Sequence, residues 1–341
     1  MNVKAVVFVS EDQIEVRTVE IPDTVGPDQI RTETLYTFVS PGTELRTLAG
    51  FYSAKKHYPL IPGYSTLARV VEVGSEVKGI QVGDLLSSRK GGQLVSAVSN
   101  WFGGQIGGHV YTPAETVILP EEAAEDPLPY TVTEVASISY RGVSCTAPQS
   151  GENVAVIGQG MIGTFSAEFF RLHGCNVTVC DIDENRIAQA RKNGFACVDL
   201  KETDALERMI LYSGASGFDV VSECSGTSDG FHFACKLIRE NPFLQHPRRV
   251  REQFPCLLLQ ASYVENVSIR PEAFFLGEGV KIITPADRSI YDRMNVVELI
   301  RSGKWAPSNY LKNIFKPGEF VDAYRKLQRK EICSAVFDWQ E

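Results

Sequence analysis

The hexapeptide Gly158-Gln159-Gly160-Met161-Ile162-Gly163 follows directly on the apolar run Val154-Ala155-Val156-Ile157 and opens onto a stretch with Phe165, Phe169 and Leu172 at i, i+4 and i+7. That spacing predicts a helix with one buried face. A lone G-x-G-x-x-G is a weak signal, but a strand before it and a helix after it make it a strong one. The first glycine permits a tight turn, the second lets a pyrophosphate approach the backbone, and the third lets helix and strand pack closely. The phosphates then face the helix N-terminus. The next strand, over 176–180, ends at Asp181, 18 residues beyond Gly163. A carboxylate there accepts both ribose hydroxyls of NAD(H) and repels the 2′-phosphate of NADP. The competing reading is that Asp181 or Asp183 caps the helix beginning near Glu184, and Asp183 is the better cap. Arg186, on that helix, is grouped with the cofactor-binding residues.

Strand and helix alternate after Gly151, which implies a doubly wound parallel sheet. Further parallel strands are expected at 218–222 and 256–260, and helices at 184–193, 203–212, 228–239, 291–301 and 317–330, with a last strand at 334–339. The loops Cys224-Ser225-Gly226 and Ala261-Ser262-Tyr263 then lie at the carboxyl edge of the sheet, where the nicotinamide half binds, or are plain connections. The first third has a different rhythm. Short β-rich runs at 3–9, 14–21, 67–73 and 116–119 are bounded by turn chemistry at 22–27, Ser40-Pro41-Gly42, Pro62-Gly63, Gly74-Ser75, Gly103-Gly104 and Gly107-Gly108. Such punctuation reads as a β-barrel or sandwich.

Charge and cysteine usage narrow the function. Lys and Arg number 34 against 42 Asp and Glu, a net charge of −8, which repels phosphate backbones and anionic lipids and favours a small-molecule substrate. All eight cysteines fall between Cys145 and Cys333 with no CxxC pair, so they read as reduced thiols rather than a disulfide framework. Residues 1–11 hold one lysine and an apolar stretch too short for a signal peptide, and no later run approaches a membrane span. A cytoplasmic protein is expected.

The order of these parts resembles the medium-chain dehydrogenase/reductase family over nearly the whole chain. The tracts that carry the resemblance are Gly42-Thr43-Glu44, Pro59-Leu60-Ile61-Pro62-Gly63, Val70-Val71-Glu72-Val73-Gly74, Gln81-Val82-Gly83-Asp84 and Gly107-Gly108-His109, which look like the sorbitol and threonine dehydrogenase branch. The resemblance implies a GroES-like β-barrel catalytic domain over 1–137, a Rossmann NAD-binding domain over 138–287 and a C-terminal return over 288–341. It also implies a hydride-transferring nicotinamide cofactor, a cleft between domains, and a homodimer or homotetramer.

The departures from the family pattern bear on chemistry. Where zinc alcohol dehydrogenases begin a tract with a metal-binding cysteine, this chain has Pro41, and the family's Gly-His-Glu tract is here Gly63-Tyr64-Ser65. Only Glu134 remains near the third-ligand position, and a catalytic zinc needs about three protein ligands. The four-cysteine structural lobe is replaced by the cysteine-free stretch Asn100-Trp101-Phe102-Gly103-Gly104. No metal is expected, and another group must polarise the substrate oxygen or move a proton.

Tyr64 is the first candidate for that role, since a phenol can donate a proton or bind an oxyanion; the alternative is a tyrosine that only fills the metal's volume. Ser65 and Glu44 could orient it or hold substrate hydroxyls, or Glu44 could face Arg46 or Arg69 structurally. Arg46 lies where many relatives have a proton-relay histidine; an arginine cannot shuttle protons, so its role would be to bind cofactor phosphate or an anionic group. His57, in a loop after Lys55-Lys56, and His109, at a diglycine turn, are weaker acid–base candidates. His173 and His232 read as structural. Tyr52, Trp101 and Phe102 could wall a ring-shaped substrate or simply pack. Cys224 reads as packing. A segment inserted over 242–254, with Arg248, Arg249 and Arg251, is a solvated loop or a contact to another subunit or the cofactor.

Three functions compete. The first is a zinc-independent NAD(H)-linked oxidoreductase interconverting a secondary alcohol and a ketone on a polyhydroxylated or cyclic small molecule. The second is an NAD(P)H-linked reductase of a conjugated C=C bond, with Tyr64 as proton donor. The third is an inactive NAD(H)-binding sensor or structural protein.

Overall fold

The computed structural model describes residues 1–89, 91–214, 217–238, 254–269 and 279–340. The chain divides into two compact units, Met1–Ser137 with Ile290–Glu341, and Ile138–Ser289. The inserted segment expected at 242–254 lies, apart from Phe254, outside the described residues.

The first unit begins with the hairpin β1 (Asn2–Ser10) and β2 (Gln13–Glu20), antiparallel and in register from Asn2↔Glu20 to Phe8↔Ile14. A larger sheet holds β3 (Ile30–Phe38), β4 (Thr66–Val73), β5 (Leu85–Ser88), β6 (Gly108–Tyr111) and β7 (Val117–Ile118). β3 is not among the strands expected from the sequence, although its isoleucine, threonines, tyrosine and phenylalanine all favour a strand. The second diglycine is also not purely a turn: Gly108 starts a strand opposite Glu33, which places His109 inside a buried ladder.

Ser40-Pro41-Gly42, read as a turn, instead starts α1 (Pro41–Leu48), with Ser40 at the N-cap and proline in the first turn. Proline suits that position because the missing N–H would have had no intrahelical partner. A second helix absent from the sequence reading, α2 (Thr133–Thr146), runs from the first unit into the second.

The second unit is built from β8 (Asn153–Ile157), α3 (Met161–Leu172), β9 (Asn176–Asp181), α4 (Glu184–Lys192), β10 (Ala196–Asp199), α5 (Ala205–Tyr212), β11 (Val220–Glu223), α6 (Ser228–Leu237), β12 (Cys256–Leu259) and β13 (Lys281–Ile283). All its strand pairs are parallel, in the order β10-β9-β8-β11-β12-β13. This is the doubly wound order, in which β8 and β11 are neighbours whose chains continue to opposite sides, leaving the binding crevice at their carboxyl ends. Its core is Ala155, Ile157, Val198, Met209, Phe218, Val221, Phe231 and Leu257. β11 begins and ends later than expected, so Glu223 belongs to the strand.

The chain then returns to the first unit through α7 (Ile290–Arg301), β14 (Ile314–Phe315), α8 (Phe320–Gln328) and β15 (Val336–Asp338). The helix expected from 317 opens as a short 3-10 turn, Pro317–Glu319, before α8. β15 pairs antiparallel with β3, Val336 opposite Phe38, and the stacked rings of Phe320 and Phe337 pack with Phe8 and Tyr324. The return is therefore part of the first unit's core and not an appendage. No helix among the described residues is long and apolar enough to cross a membrane.

Candidate functional site

In the second unit the glycine turn has the geometry its sequence implies. Gly158 has φ +87°, and a Cβ on it would lie 2.9 Å from the backbone nitrogen of Ser225. A Cβ on Gly163 would lie 1.8 Å from the carbonyl oxygen of Gly158, so any side chain would force α3 off the turn. Above Gly160 the space is open, with the guanidinium of Arg186 at 4.0 Å from a built Cβ. Gly160 gives α3 no side-chain cap and its first turn, with Met161 and Ile162, holds no acidic residue, which suits a helix N-terminus that receives phosphates.

Asp181, 4% exposed at the end of β9, accepts the Gln159 N–H at 2.5 Å and the Asp183 N–H at 2.9 Å, with the Arg186 guanidinium at 3.5 Å. It thus braces the glycine turn against the head of α4. Asp183 is the helix cap, accepting the N–H groups of Asn185 and Arg186. The Gln159 side-chain oxygen is buried with no partner among the described residues. These residues fit a dinucleotide.

Sequence reasoning missed Glu223. It is fully buried at the end of β11 and accepts from the Ser225 N–H at 2.8 Å, the Gly226 N–H at 3.2 Å and the hydroxyls of Ser225 and Tyr263. It therefore shapes Cys224-Ser225-Gly226 and ties it to the loop Ala261-Ser262-Tyr263. The available signal was a carboxylate directly after Val220-Val221-Ser222, a place an apolar strand tolerates only if donors surround it. Burial pushes the Cys224 thiol up to about 12, which leaves it a packing group and no nucleophile.

In the first unit, Tyr64 is 7% exposed, and its hydroxyl lies 2.7 Å from the Ser40 hydroxyl. Ser40 precedes α1, so the helix that carries Glu44 also fixes the partner of Tyr64. Glu44 does not face Arg46 or Arg69. Its buried carboxylate accepts the Ser40 N–H at 2.7 Å, the Tyr324 hydroxyl at 2.5 Å and the Gln105 amide at 3.2 Å. Gln105 is in turn held by Thr37, and Thr37 by the Trp339 indole. The Ser65 hydroxyl donates to the Thr131 carbonyl at 2.7 Å, a structural bond. His57 follows a 3-10 turn and stacks on Trp101 at 4.0 Å. Arg46 reaches the Tyr52 hydroxyl at 3.3 Å. His109 accepts the Gly92 N–H through Nδ1, and burial lowers its pKa to about 4, so it is neutral at ordinary pH.

Burial raises the Glu44 pKa from 4.5 to about 7, against the opposing hydrogen bonds from Tyr324, the Ser40 N–H and Gln105. Because the folded value lies above the unfolded one, this group's contribution to stability is complete below about pH 4.5 and is lost as pH rises through about 7. A loss of about 3 kcal/mol follows from a shift of that size. Thermal melts of the wild type should therefore decline from pH 5 to 8 more than those of Glu44→Gln. Parallel declines would show that Glu44 does not titrate in this range.

Pro41 and Tyr64, which the resemblance sets at metal-ligand positions, and Glu134, near the third, do not fit a zinc ion, since proline offers no ligand atom and Glu134 is already paired. Glu134, fully buried, accepts the Ser87 hydroxyl at 3.0 Å and pairs with the buried guanidinium of Arg293 on α7 at 3.4 Å. Among the described residues no three His, Cys, Asp or Glu side chains gather to hold a metal.

Residues 162–241 match the zinc-binding dehydrogenase family. An alcohol dehydrogenase of Cupriavidus necator is 26% identical over 363 residues, covering 94% of this chain and 94% of that one. A sorbitol dehydrogenase of Halalkalibacterium halodurans is 26% identical over 239 residues, 64% of this chain and 68% of the relative. In fold, an Escherichia coli oxidoreductase/dehydrogenase of unknown specificity is similar with a TM-score of 0.84, covering 100% of both chains at 17% identity. Strand order, glycine turn and relatives agree: the chain belongs to the zinc-type medium-chain dehydrogenase/reductase superfamily of oxidoreductases.

Proposed function

We propose that the protein is a zinc-independent, NAD(H)-dependent oxidoreductase that interconverts a secondary alcohol and a ketone on a polyhydroxylated or cyclic small molecule. The observation that carries this reading is the Tyr64–Ser40 hydroxyl pair, at 2.7 Å, standing where the superfamily has a metal ligand. The similarity to alcohol and sorbitol dehydrogenases supports the substrate class.

When bound, the nicotinamide ring supplies or takes the hydride. The chain's own residues do the rest. Asp181 receives the ribose hydroxyls, and the open face of Gly160 with the head of α3 receives the pyrophosphate. In the reducing direction Tyr64 donates its phenolic proton to the ketone oxygen as the adjacent carbon gains the hydride, and Ser40 donates to the phenolate oxygen left behind. Oxidation runs through the same pair in reverse: the substrate hydroxyl gives its proton to the Tyr64 oxygen as its carbon loses the hydride. A neutral donor can do this work where a metal would otherwise polarise the oxygen, because a buried hydrogen bond is stronger than one in water. A carboxylate at Asp181 counts against the NADPH-linked reduction of conjugated alkenes.

The test combines elemental analysis with two assay panels, NAD reduction with polyols and cyclitols and NADH oxidation with enones. The expected result is no stoichiometric zinc and activity in the first panel alone. One zinc per chain would overturn the mechanism, activity confined to enones would replace the reaction, and silence in both with retained NADH binding would favour a sensor.

A further inference from the structure

We infer that Trp101, Phe102 and Tyr64 form an aromatic corner that holds the substrate, and that its occupant is a ring-shaped polyol such as a cyclitol or sugar ring. This rests on the reading above and names the subsite and substrate shape. Four rings lie in series. His57 stacks on Trp101 at 4.0 Å and 18°, Trp101 meets Phe102 edge to face at 5.8 Å and 71°, and Phe102 lies 5.9 Å from Tyr64 at 47°. The tier therefore ends at the Tyr64 hydroxyl on one side and at an imidazole on the other. Trp101 is seated on the core that contains Phe8, Tyr324 and Trp339, while Trp101 and Phe102 are both only half-buried.

The loop that presents these rings is fixed to the segment bearing Tyr64. Gly103 donates to the Ile61 carbonyl at 2.9 Å and Gly104 to the Gly63 carbonyl at 2.7 Å, while the Phe102 carbonyl accepts from Gly91 at 2.9 Å. Phe102 has φ +65°, in the left-handed region that an aromatic residue enters only under strain. Strain of this kind persists where surrounding structure over-determines a residue, commonly at binding sites. A glycine would satisfy the backbone there without strain, so the packing of the turn alone does not call for a phenylalanine.

The shape selects the occupant. Two aromatic faces near a right angle, on side chains with few torsions, suit a rigid body with one apolar C–H face. An open-chain polyol has no such face and would have each of its torsions frozen on binding. A ring with hydroxyls around its rim meets polar partners at both ends of the tier, which a plain aromatic ring does not. The stretch that carries Trp101 and Phe102 is the one that stands in place of the four-cysteine lobe of zinc relatives, so its loss of cysteine ligands and its gain of a ring-binding wall occupy the same residues.

Phe102→Gly removes the ring and relaxes the backbone, and its melting temperature should equal or exceed that of the wild type. With saturating NAD, its KM for myo-inositol should rise about tenfold or more while that for sorbitol stays within about twofold, a difference expected from losing one stacked ring. Trp305 and Trp339 are 5% and 8% exposed, so a ligand-induced change in indole emission is assigned to Trp101 by comparison with Trp101→Phe. Myo-inositol should shift that emission in the wild type and not in Trp101→Phe. Equal KM changes for both polyols, no change for either, or tighter binding of benzyl alcohol than of myo-inositol would overturn the subsite. If neither polyol is turned over, an emission shift with myo-inositol that Phe102→Gly abolishes would uphold the subsite while the proposed reaction fails, and its absence would overturn the subsite too.

Discussion

Tyr64→Phe is expected to lower turnover by about 100- to 10,000-fold, the range associated with loss of a positioned acid–base group, while leaving NADH affinity almost unchanged. The substitution deletes one oxygen and keeps the ring against Phe102, so the aromatic contact at 5.9 Å survives. What it removes is the hydroxyl that shares a 2.7 Å hydrogen bond with Ser40. Ser40 keeps its place because its backbone N–H remains bonded to Glu44 at the head of α1. The defect should therefore fall on kcat and on kcat/KM together, as for an interaction made in the transition state. Melting temperature and a titration of NADH fluorescence separate this from unfolding. Full retained turnover would reduce Tyr64 to a filler of the volume a metal takes in relatives, and Ser40→Ala with an unchanged pH–rate profile would remove Ser40 from the proton path.

Asp181→Asn should invert the cofactor preference, changing the ratio of NADH to NADPH affinity on the order of 100-fold, as loss of charge-assisted hydrogen bonds to a ribose diol implies. The N–H groups of Gln159 and Asp183 bond to different oxygens of Asp181, at 2.5 and 2.9 Å, so asparagine keeps an acceptor for only one of them and loosens the brace as well. It withdraws the charge that repels a 2′-phosphate and frees Arg186, 3.5 Å away, to pair with one. Isothermal titration with both cofactors checks this. A ratio unchanged within about twofold would mean that Asp181 acts only as a brace between the glycine turn and α4.

What could be read in the sequence was local. The glycine turn needs only its own residues and the strand and helix beside it, so Gly158, Gly160 and Gly163 were legible together with the Asp183 cap. The central parallel strands β8, β9, β11 and β12 were legible because they are largely buried and read as apolar runs, whereas the short edge strands β10 and β13 were not named from the sequence. Ser40-Pro41-Gly42 shows the limit of such reading: the same tripeptide serves a turn and a helix start, and only the burial of Glu44, Thr47 and Leu48 against the returning chain selects the helix.

The candidate acid–base groups were identified by type but not with their partners: Tyr64 meets Ser40 rather than Ser65, and Glu44 meets Tyr324 and Gln105 rather than Arg46 or Arg69. Tyr324 reaches Glu44 across 280 residues, and Arg293 reaches Glu134 across 159. No period or spacing encodes pairs so distant, because a buried charge is satisfied by whichever donor the packing brings to it. The sequence by itself determined the glycine turn and the alternating layers, both of which are properties of short segments. Only the tertiary structure decided that Glu134 is neutralised by a guanidinium, that Glu44 is a buried carboxyl of raised pKa, and that Tyr64 meets a hydroxyl. Those are properties of a dry interior, where each polar group must find its partner in space.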